Sequence, residues 1–215
     1  MKLIFFKWVS VFALLFLLSA CHTVPKQGET SDHEGWESDS AFFYEGYKQH
    51  QALTQWQYRA KVGVVTPDES QQANMVWVYD NNANTVRLFG PLGVGAIKIE
   101  FDEHGVVLSD RKGELHRGDS AQYLLESIVG WSIPVDALQY WLFSLPLPNL
   151  EHVYRYQVDD AQNVLKLQQL GWTIKYEDYK TYFNDGWPLA RKVIATKQVA
   201  PEQTVTVKLI TKSWK

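Results

Sequence analysis

A change of period constrains this chain more than any other feature. From Gln55 to Thr211 most of the sequence alternates apolar and polar residues in short segments with turn residues between them. Alternation sends successive side chains to opposite faces, so each segment codes a strand with one buried face. Strands are expected at Gln55 to Val65, Ala73 to Tyr79, Thr85 to Phe89, Ala96 to Phe101, Val106 to Ser109 and Glu114 to Arg117. They resume at Tyr154 to Val158, Val164 to Gln169, Trp172 to Tyr179, Leu189 to Thr196 and Thr204 to Thr211. Asp80-Asn81-Asn82, Asp102-Glu103-His104-Gly105, Arg111-Lys112-Gly113, Asp159-Asp160, Gly171 and Asn184-Asp185-Gly186 mark turns, so neighbouring segments read as antiparallel hairpins.

Between Arg117 and Tyr154 the period lengthens to that of a helix. Asp119-Ser120-Ala121-Gln122 resembles a capping box with Asp119 as cap, Tyr123, Leu124, Ile128 and Val129 form an apolar face, and Gly130 ends the helix. A second helix starts at Pro134, carries Leu138, Trp141, Leu142 and Leu145, and stops at Pro146. A third precedes the strands, from Glu37 to Ala52, with Trp36, Phe43, Tyr47 and His50 along one stripe. The expected class is mainly β with helices (α+β). An antiparallel sheet of about eleven strands must curl, and the helices have the open side of the curl to cover. Aromatic residues make up 14% of the chain, which fits a β core and equally fits walls for an apolar ligand. Packed and hollow interiors both remain open at this stage.

The first twenty residues read as an export signal: Lys2 and Lys7, an apolar run from Val9 to Leu18 broken only by Ser10, then Ser19-Ala20-Cys21. Leu18-Ser19-Ala20-Cys21 fits a lipobox, so Cys21 is expected to be lipidated and to become the new N-terminus. The run is too short for a membrane span, which needs about 20 apolar residues. Cys21 is also the sole cysteine, which excludes an internal disulfide in an exported chain. His22 is not the Asp that retains lipoproteins at the inner membrane, so the outer membrane of a Gram-negative bacterium is expected, with the domain facing the periplasm. The expected organisation is 1–20 signal peptide, 21–35 lipidated N-terminus and tether, and 36–215 a single binding domain. Net charge is −3, and −5 once Lys2 and Lys7 leave with the signal, which gives no general attraction for nucleic acid.

Catalytic signals are poor. There is no Gly-x-Ser-x-Gly elbow, and the cysteine is committed to lipid. Six histidines are scattered without metal-ligand spacing, and Gly90-Pro91-Leu92-Gly93-Val94-Gly95 lacks the Lys-Ser/Thr of a phosphate loop. The chain is expected to be a non-enzyme, monomeric, without cofactor or metal.

Several stretches resemble the LolB family of outer-membrane lipoprotein receptors. They are Leu53-Thr54-Gln55-Trp56-Gln57-Tyr58-Arg59-Ala60, Pro91-Leu92-Gly93, Gly130-Trp131-Ser132-Ile133-Pro134, then Leu138, Trp141, Leu142 and Leu145-Pro146, then Trp172, Tyr176 and Tyr179, and finally Val207-Lys208-Leu209 with Trp214. Trp131 in the Ile-Pro segment departs in detail. The resemblance implies a half-open β-barrel with a helical lid over an apolar cavity, similar to the periplasmic carrier LolA. It implies that a LolA-type carrier loaded with lipoprotein is the partner, that acyl chains enter the cavity, and that they pass on to outer-membrane lipid. It makes Leu92, flanked by Pro91 and Gly93, an exposed tip that enters the bilayer. Candidate cavity residues are Met75, Trp77, Leu88, Ile97, Ile99, Leu124, Ile128, Leu138 and Leu142. Two other readings share the fold: a lipid-binding or lipoprotein-sensing module, and a structural outer-membrane lipoprotein with a solid core.

Overall fold

The structure is a computed structural model that describes residues 35–36, 40–90, 95–148, 154–183 and 186–215. The leader, Cys21, and Leu92 with Pro91 and Gly93 lie outside the described residues. In chain order the elements are β1 (Gly35–Trp36), α1 (Ser40–Ala52), β2 (Gln55–Val65), β3 (Ser70–Asp80), β4 (Ala83–Phe89), β5 (Ile97–Asp102), β6 (Gly105–Ser109) and β7 (Leu115–Gly118). Then come α2 (Ala121–Val129), α3 (Val135–Trp141), β8 (Tyr154–Val158), β9 (Val164–Gln169), β10 (Trp172–Thr181), β11 (Pro188–Ala200) and β12 (Gln203–Trp214).

All strands join one antiparallel sheet in the order β1-β8-β9-β10-β11-β12-β2-β3-β4-β5-β6-β7. The sheet is open and curved, with β1 and β7 at its edges. The eleven strands read from the sequence are β2 to β12. Two meanders, β2 to β7 and β8 to β12, meet where β12 pairs with β2, setting Val207 opposite Val64 and Leu209 opposite Val62. Hairpin turns follow the marker residues. Asn81 (φ 46°) and Asn82 (φ 73°) form a two-residue turn between paired Asp80 and Ala83, in the left-handed conformation that asparagine tolerates.

Alternation becomes burial as expected. Trp56, Tyr58, Ala60, Val62 and Val64 of β2 are buried on the concave face. Cross-strand register carries that face through the first meander: Tyr58 sits opposite Trp77, Trp77 opposite Val86, Val86 opposite Ile99, and Ile99 opposite Leu108. A one-residue slip would turn every one of these side chains to water, so burial itself fixes the register.

Four helical expectations are corrected. Helix α1 is described over Ser40–Ala52, with the expected start at Glu37 outside the described residues, and Trp36, expected on its stripe, instead pairs with Arg155 in the two-residue strand β1. Ser120 caps α2 rather than Asp119: its side chain accepts from the Tyr123 N–H, which a hydroxyl one turn back reaches and Asp119 is one residue too early to reach. Pro134 is the N-cap of α3, not its first helical residue. Helix α3 ends at Trp141, and Leu142 belongs to the following turn, where Ser144 adopts φ 59°. Gly130 does close α2, in the left-handed conformation (φ 78°) with its N–H donated to the Glu126 carbonyl.

Candidate functional site

The concave face is filled unevenly, and β2 records the gradient. Near its start the neighbours are rings: Trp56 lies 5.5 Å from both Tyr79 and Trp214, and 5.6 Å from Phe143, centroid to centroid. Phe143, in the turn after α3, also packs on Trp187 and Trp214 at 5.3 and 4.7 Å. This end is a solid aromatic plug. Farther along β2 the inward residues are Val62 and Val64, facing Ala73 and Gln71 on β3. Aliphatic and short side chains leave space there.

Two cavities occupy that space. The inner one, about 40 Å³, has wholly apolar walls. The sheet supplies Val62, Met75, Trp77, Val86, Leu88, Ile99, Val207 and Leu209, and the helical side supplies Leu125, Trp131, Ile133, Val135 and Leu138. The outer one, about 350 Å³, is lined by Val62, Val64, Gln71, Gln72, Ala73, Leu88, Phe89, Gly90, Gly95, Ile97, Arg111 and Trp131. Val62, Leu88 and Trp131 border both. Gly90 and Gly95 are the two ends of the segment that carries Leu92, so the outer cavity opens at the roots of that loop.

Of the residues expected to line a cavity, Met75, Trp77, Ile99 and Leu138 border the inner space, Ile97 the outer, and Leu88 both. Leu124, Ile128 and Leu142 border neither. Leu124 packs over Gly118 of β7, Ile128 lies half-buried against the core, and Leu142 is fully buried in it. Helix α2 turns Ala121 and Leu125 inward instead and leaves Tyr123 exposed. Trp131 and Leu125 are among the lining residues that the expected set lacks, with Val62, Val86, Ile133, Val135, Val207 and Leu209 of the inner cavity and the polar Gln71, Gln72 and Arg111 of the outer one. A run of three apolar residues at 123–125 hides which one faces in, whereas Trp131 was visible as an unusual residue.

Among the described residues, side-chain hydrogen bonds fasten the lid at one end. Gln169 of β9, 2% exposed, accepts from Trp141 Nε1 (3.0 Å) and the Leu147 N–H (2.8 Å), and donates to the Leu147 carbonyl (3.0 Å). The Tyr179 hydroxyl donates to the Val164 carbonyl at 2.6 Å and lies 3.0 Å from Ser144 Oγ. From α1, Tyr47 donates to the Pro146 carbonyl at 2.8 Å. Burial pushes the Tyr47 and Tyr179 phenols well above the usual tyrosine range, which keeps both as neutral donors. At the other end, between α2 and α3, Trp131 Nε1 and Ser132 Oγ are buried without a hydrogen-bond partner.

One titratable cluster lies beside the mouth. Ligand atoms of Asp110, Glu114 and His116 fall within 4.8 Å of one another. Asp110 Oδ1 accepts the Lys112 and Glu114 N–H groups at 2.8 and 2.9 Å, and Oδ2 faces His116 Nε2 at 3.4 Å. Those contacts close the β6–β7 turn and account for the carboxylate.

Comparison with known proteins agrees with this geometry. The family described as "Outer membrane lipoprotein LolB" matches residues 54–214. The outer-membrane lipoprotein LolB of Francisella tularensis subsp. tularensis (strain FSC 198) is 29% identical over 162 residues, 75% of this chain and 74% of the relative. That of Pseudomonas syringae pv. syringae (strain B728a) is 29% identical over 210 residues, 98% of this chain and 96% of the relative. Among solved structures, a domain from Vibrio parahaemolyticus, described as a putative outer membrane lipoprotein-sorting protein, superposes with TM-score 0.55 at 12% identity. It covers 81% of this chain and 90% of that one. A LolA superfamily protein from Nitrosomonas europaea gives TM-score 0.54 at 9% identity, covering 83% and 93%. At these identities the two structures establish the shared fold alone.

Proposed function

The chain belongs to the LolB family of outer-membrane lipoproteins, a family that moves lipoproteins and is not enzymatic, and on that premise we propose that it receives lipoproteins from a LolA-type carrier and inserts them into the outer membrane. In this reading residues 1–20 are removed and acyl chains on Cys21 hold the domain, residues 36–215, at the periplasmic face of the outer membrane. No described helix is long and apolar enough to cross a membrane. The domain works as a monomer with no cofactor.

The observation that carries the proposal is the wholly apolar inner cavity under a helical lid, which shares Val62, Leu88 and Trp131 with an outer cavity lined by Gly90 and Gly95 at the roots of the Leu92 loop. A lipoprotein's acyl chains expose dozens of CH₂ groups, each worth roughly 0.8 kcal/mol when buried. Release into water is therefore negligible, and chains must leave one apolar wall as they meet another. At about 40 Å³ the inner cavity has room for roughly three water-sized groups. An incoming chain must displace the lid, and the end of the lid between α2 and α3 is the one without side-chain hydrogen bonds among the described residues. The Leu92 segment then meets the bilayer where the mouth opens, so chains leave beside it.

The test is transfer. The domain without its signal and Cys21 is mixed with carrier loaded with a lipoprotein, and the cargo's partner is identified by co-purification. Movement of the cargo to this domain is the expected result. Cargo that stays with the carrier, from a folded sample, overturns the receptor role and leaves the sensing or structural readings.

A further inference from the structure

The outer cavity is not built for hydrocarbon alone. Its lining includes Gln71, Gln72 and Arg111, and the Gln71 amide already donates to the Glu69 carboxylate. The Arg111 stem lies over the root of the loop, with Cδ 3.7 Å from where a Cβ on Gly95 would stand. Arg111 enters no ion pair among the described residues. Neighbouring Asp110 is no counter-ion for it, since its oxygens are occupied by the turn and His116. Between this cavity and the apolar one stands Trp131, 8% exposed, with an indole N–H that is buried and unpaired. A buried donor without a partner loses its hydration with nothing in return; seven described side chains hold such an atom, Trp56 and Trp214 among them, and of the seven Trp131 alone lines either cavity.

A neutral buried donor, two glutamines and one cation therefore belong to the lining of one cavity, which shares Val62, Leu88 and Trp131 with the apolar space. We propose that the outer cavity seats the polar junction of an acylated ligand: the ester and amide carbonyl oxygens where fatty chains join their head. The Trp131 N–H and Arg111 donate to those oxygens while the chains run past the indole into the apolar cavity. Carbonyls fit this donor set better than a phosphate does, because only one of the donors carries charge and the most buried one is neutral. The inference rests on the transfer reading and adds what part of the ligand is recognised, and where.

The experiment is equilibrium binding of three probes to the signal-free domain. They are a tripalmitoylated cysteinyl peptide, a dipalmitoyl phosphatidylethanolamine, and a hexadecyl maltoside, which has the chain but no carbonyl. Trp131→Phe keeps a ring in place and deletes the donor, and Arg111→Gln removes the charge from an exposed side chain. Arg111→Gln is expected to weaken the ester-bearing probes by about threefold to tenfold and leave the alkyl maltoside unchanged, and Trp131→Phe, which also trims the apolar wall, is expected to weaken the ester-bearing probes about threefold to tenfold more than the maltoside. Weakening of the peptide and phospholipid alike supports carbonyl recognition in general. Weakening of the peptide alone supports recognition of the acylated cysteine, amide included. Equal weakening of all three probes, or of none, overturns the seat while leaving the transfer role standing. Failure of the wild-type domain to bind any probe overturns both.

Discussion

Replacing Gln169 by Met tests how the lid is held. The side chain keeps nearly its length, so packing changes little, but three hydrogen bonds disappear: the buried one with Trp141 Nε1 and the part-buried pair with the Leu147 N–H and carbonyl. Gln169 is 2% exposed and Trp141 fully buried, so water cannot replace the amide at the indole, while Leu147 is half-buried, which holds the cost of its two groups to the low end of the range. Each orphaned group costs roughly 1 kcal/mol at the low end of the usual range, which puts the total at about 3 kcal/mol. For a domain of this size 1 kcal/mol moves Tm by about 2–4 °C, so a fall of about 6–12 °C is expected. Urea unfolding with an unchanged m-value measures the same loss directly. The partner assignment is checked by adding Trp141→Phe, which removes one of the orphaned donors. The double variant is expected to lose about 1 kcal/mol less than the sum of the single losses. A Gln169→Met loss under about 1 kcal/mol, or strict additivity, refutes the claim that this amide fastens the lid.

Three further outcomes are expected. His50 is buried against Tyr140 and Phe143, and burial lowers its pKa from 6.5 to about 4, so the folded state holds it neutral. The unfolded chain binds that proton first, so this contribution is complete above pH 6.5 and is lost as pH falls towards 4. The loss is at most about 3 kcal/mol, and urea unfolding of His50→Leu is expected to show a correspondingly shallower decline. Leu125→Ala is expected to cost about 2–4 kcal/mol and Leu124→Ala less than half of that, because Leu125 borders the inner cavity while Leu124 rests on Gly118; equal losses by thermal unfolding would reverse the face assigned to α2. Leu92→Glu is expected to leave folding and cargo uptake intact and to block insertion into liposomes, and equal delivery by both variants sinks the proposed role of that loop.

What could be read from the sequence, and what could not, follows from range. Alternation and turn residues are local, and they located β2 to β12 and the Asn81-Asn82 turn. Capping is local too, yet Asp119 and Ser120 are adjacent candidates, and only the reach of the Ser120 hydroxyl to the Tyr123 N–H separates them. The inward face of α2 is ambiguous by construction, since nine residues with Tyr123, Leu124 and Leu125 in succession fit more than one rotation. Gln169 gave no signal at all. A glutamine at the end of an alternating strand looks like any surface residue, and its partners Trp141 and Leu147 lie 28 and 22 residues away. Hollow or packed was undecidable because the answer differs along the same strand, with rings at Trp56 and Tyr58 and short aliphatic side chains at Val62 and Val64.

That gradient has a mechanical consequence. At the aromatic end the turn after α3 is bound to Gln169, Tyr179 and Tyr47 and carries Phe143 into the ring cluster, so lifting it breaks hydrogen bonds and uncovers several rings together. At the hollow end, displacing residues 131–132 breaks no side-chain hydrogen bond among those described and offers new partners to an indole N–H and a hydroxyl that now have none. The apolar surface exposed there is what an acyl chain would cover again. A ligand that lifts this end therefore meets little resistance beyond what its own burial restores, whereas the other end resists it. On the transfer role proposed above, acceptance and release share one mouth, with the direction set by whichever apolar surface, carrier or bilayer, stands opposite it. That role requires no bound energy source of the fold, and the aromatic residues, which fitted a packed and a hollow interior equally, hold the lid at the Trp56 end and leave the hollow end the easier one to lift.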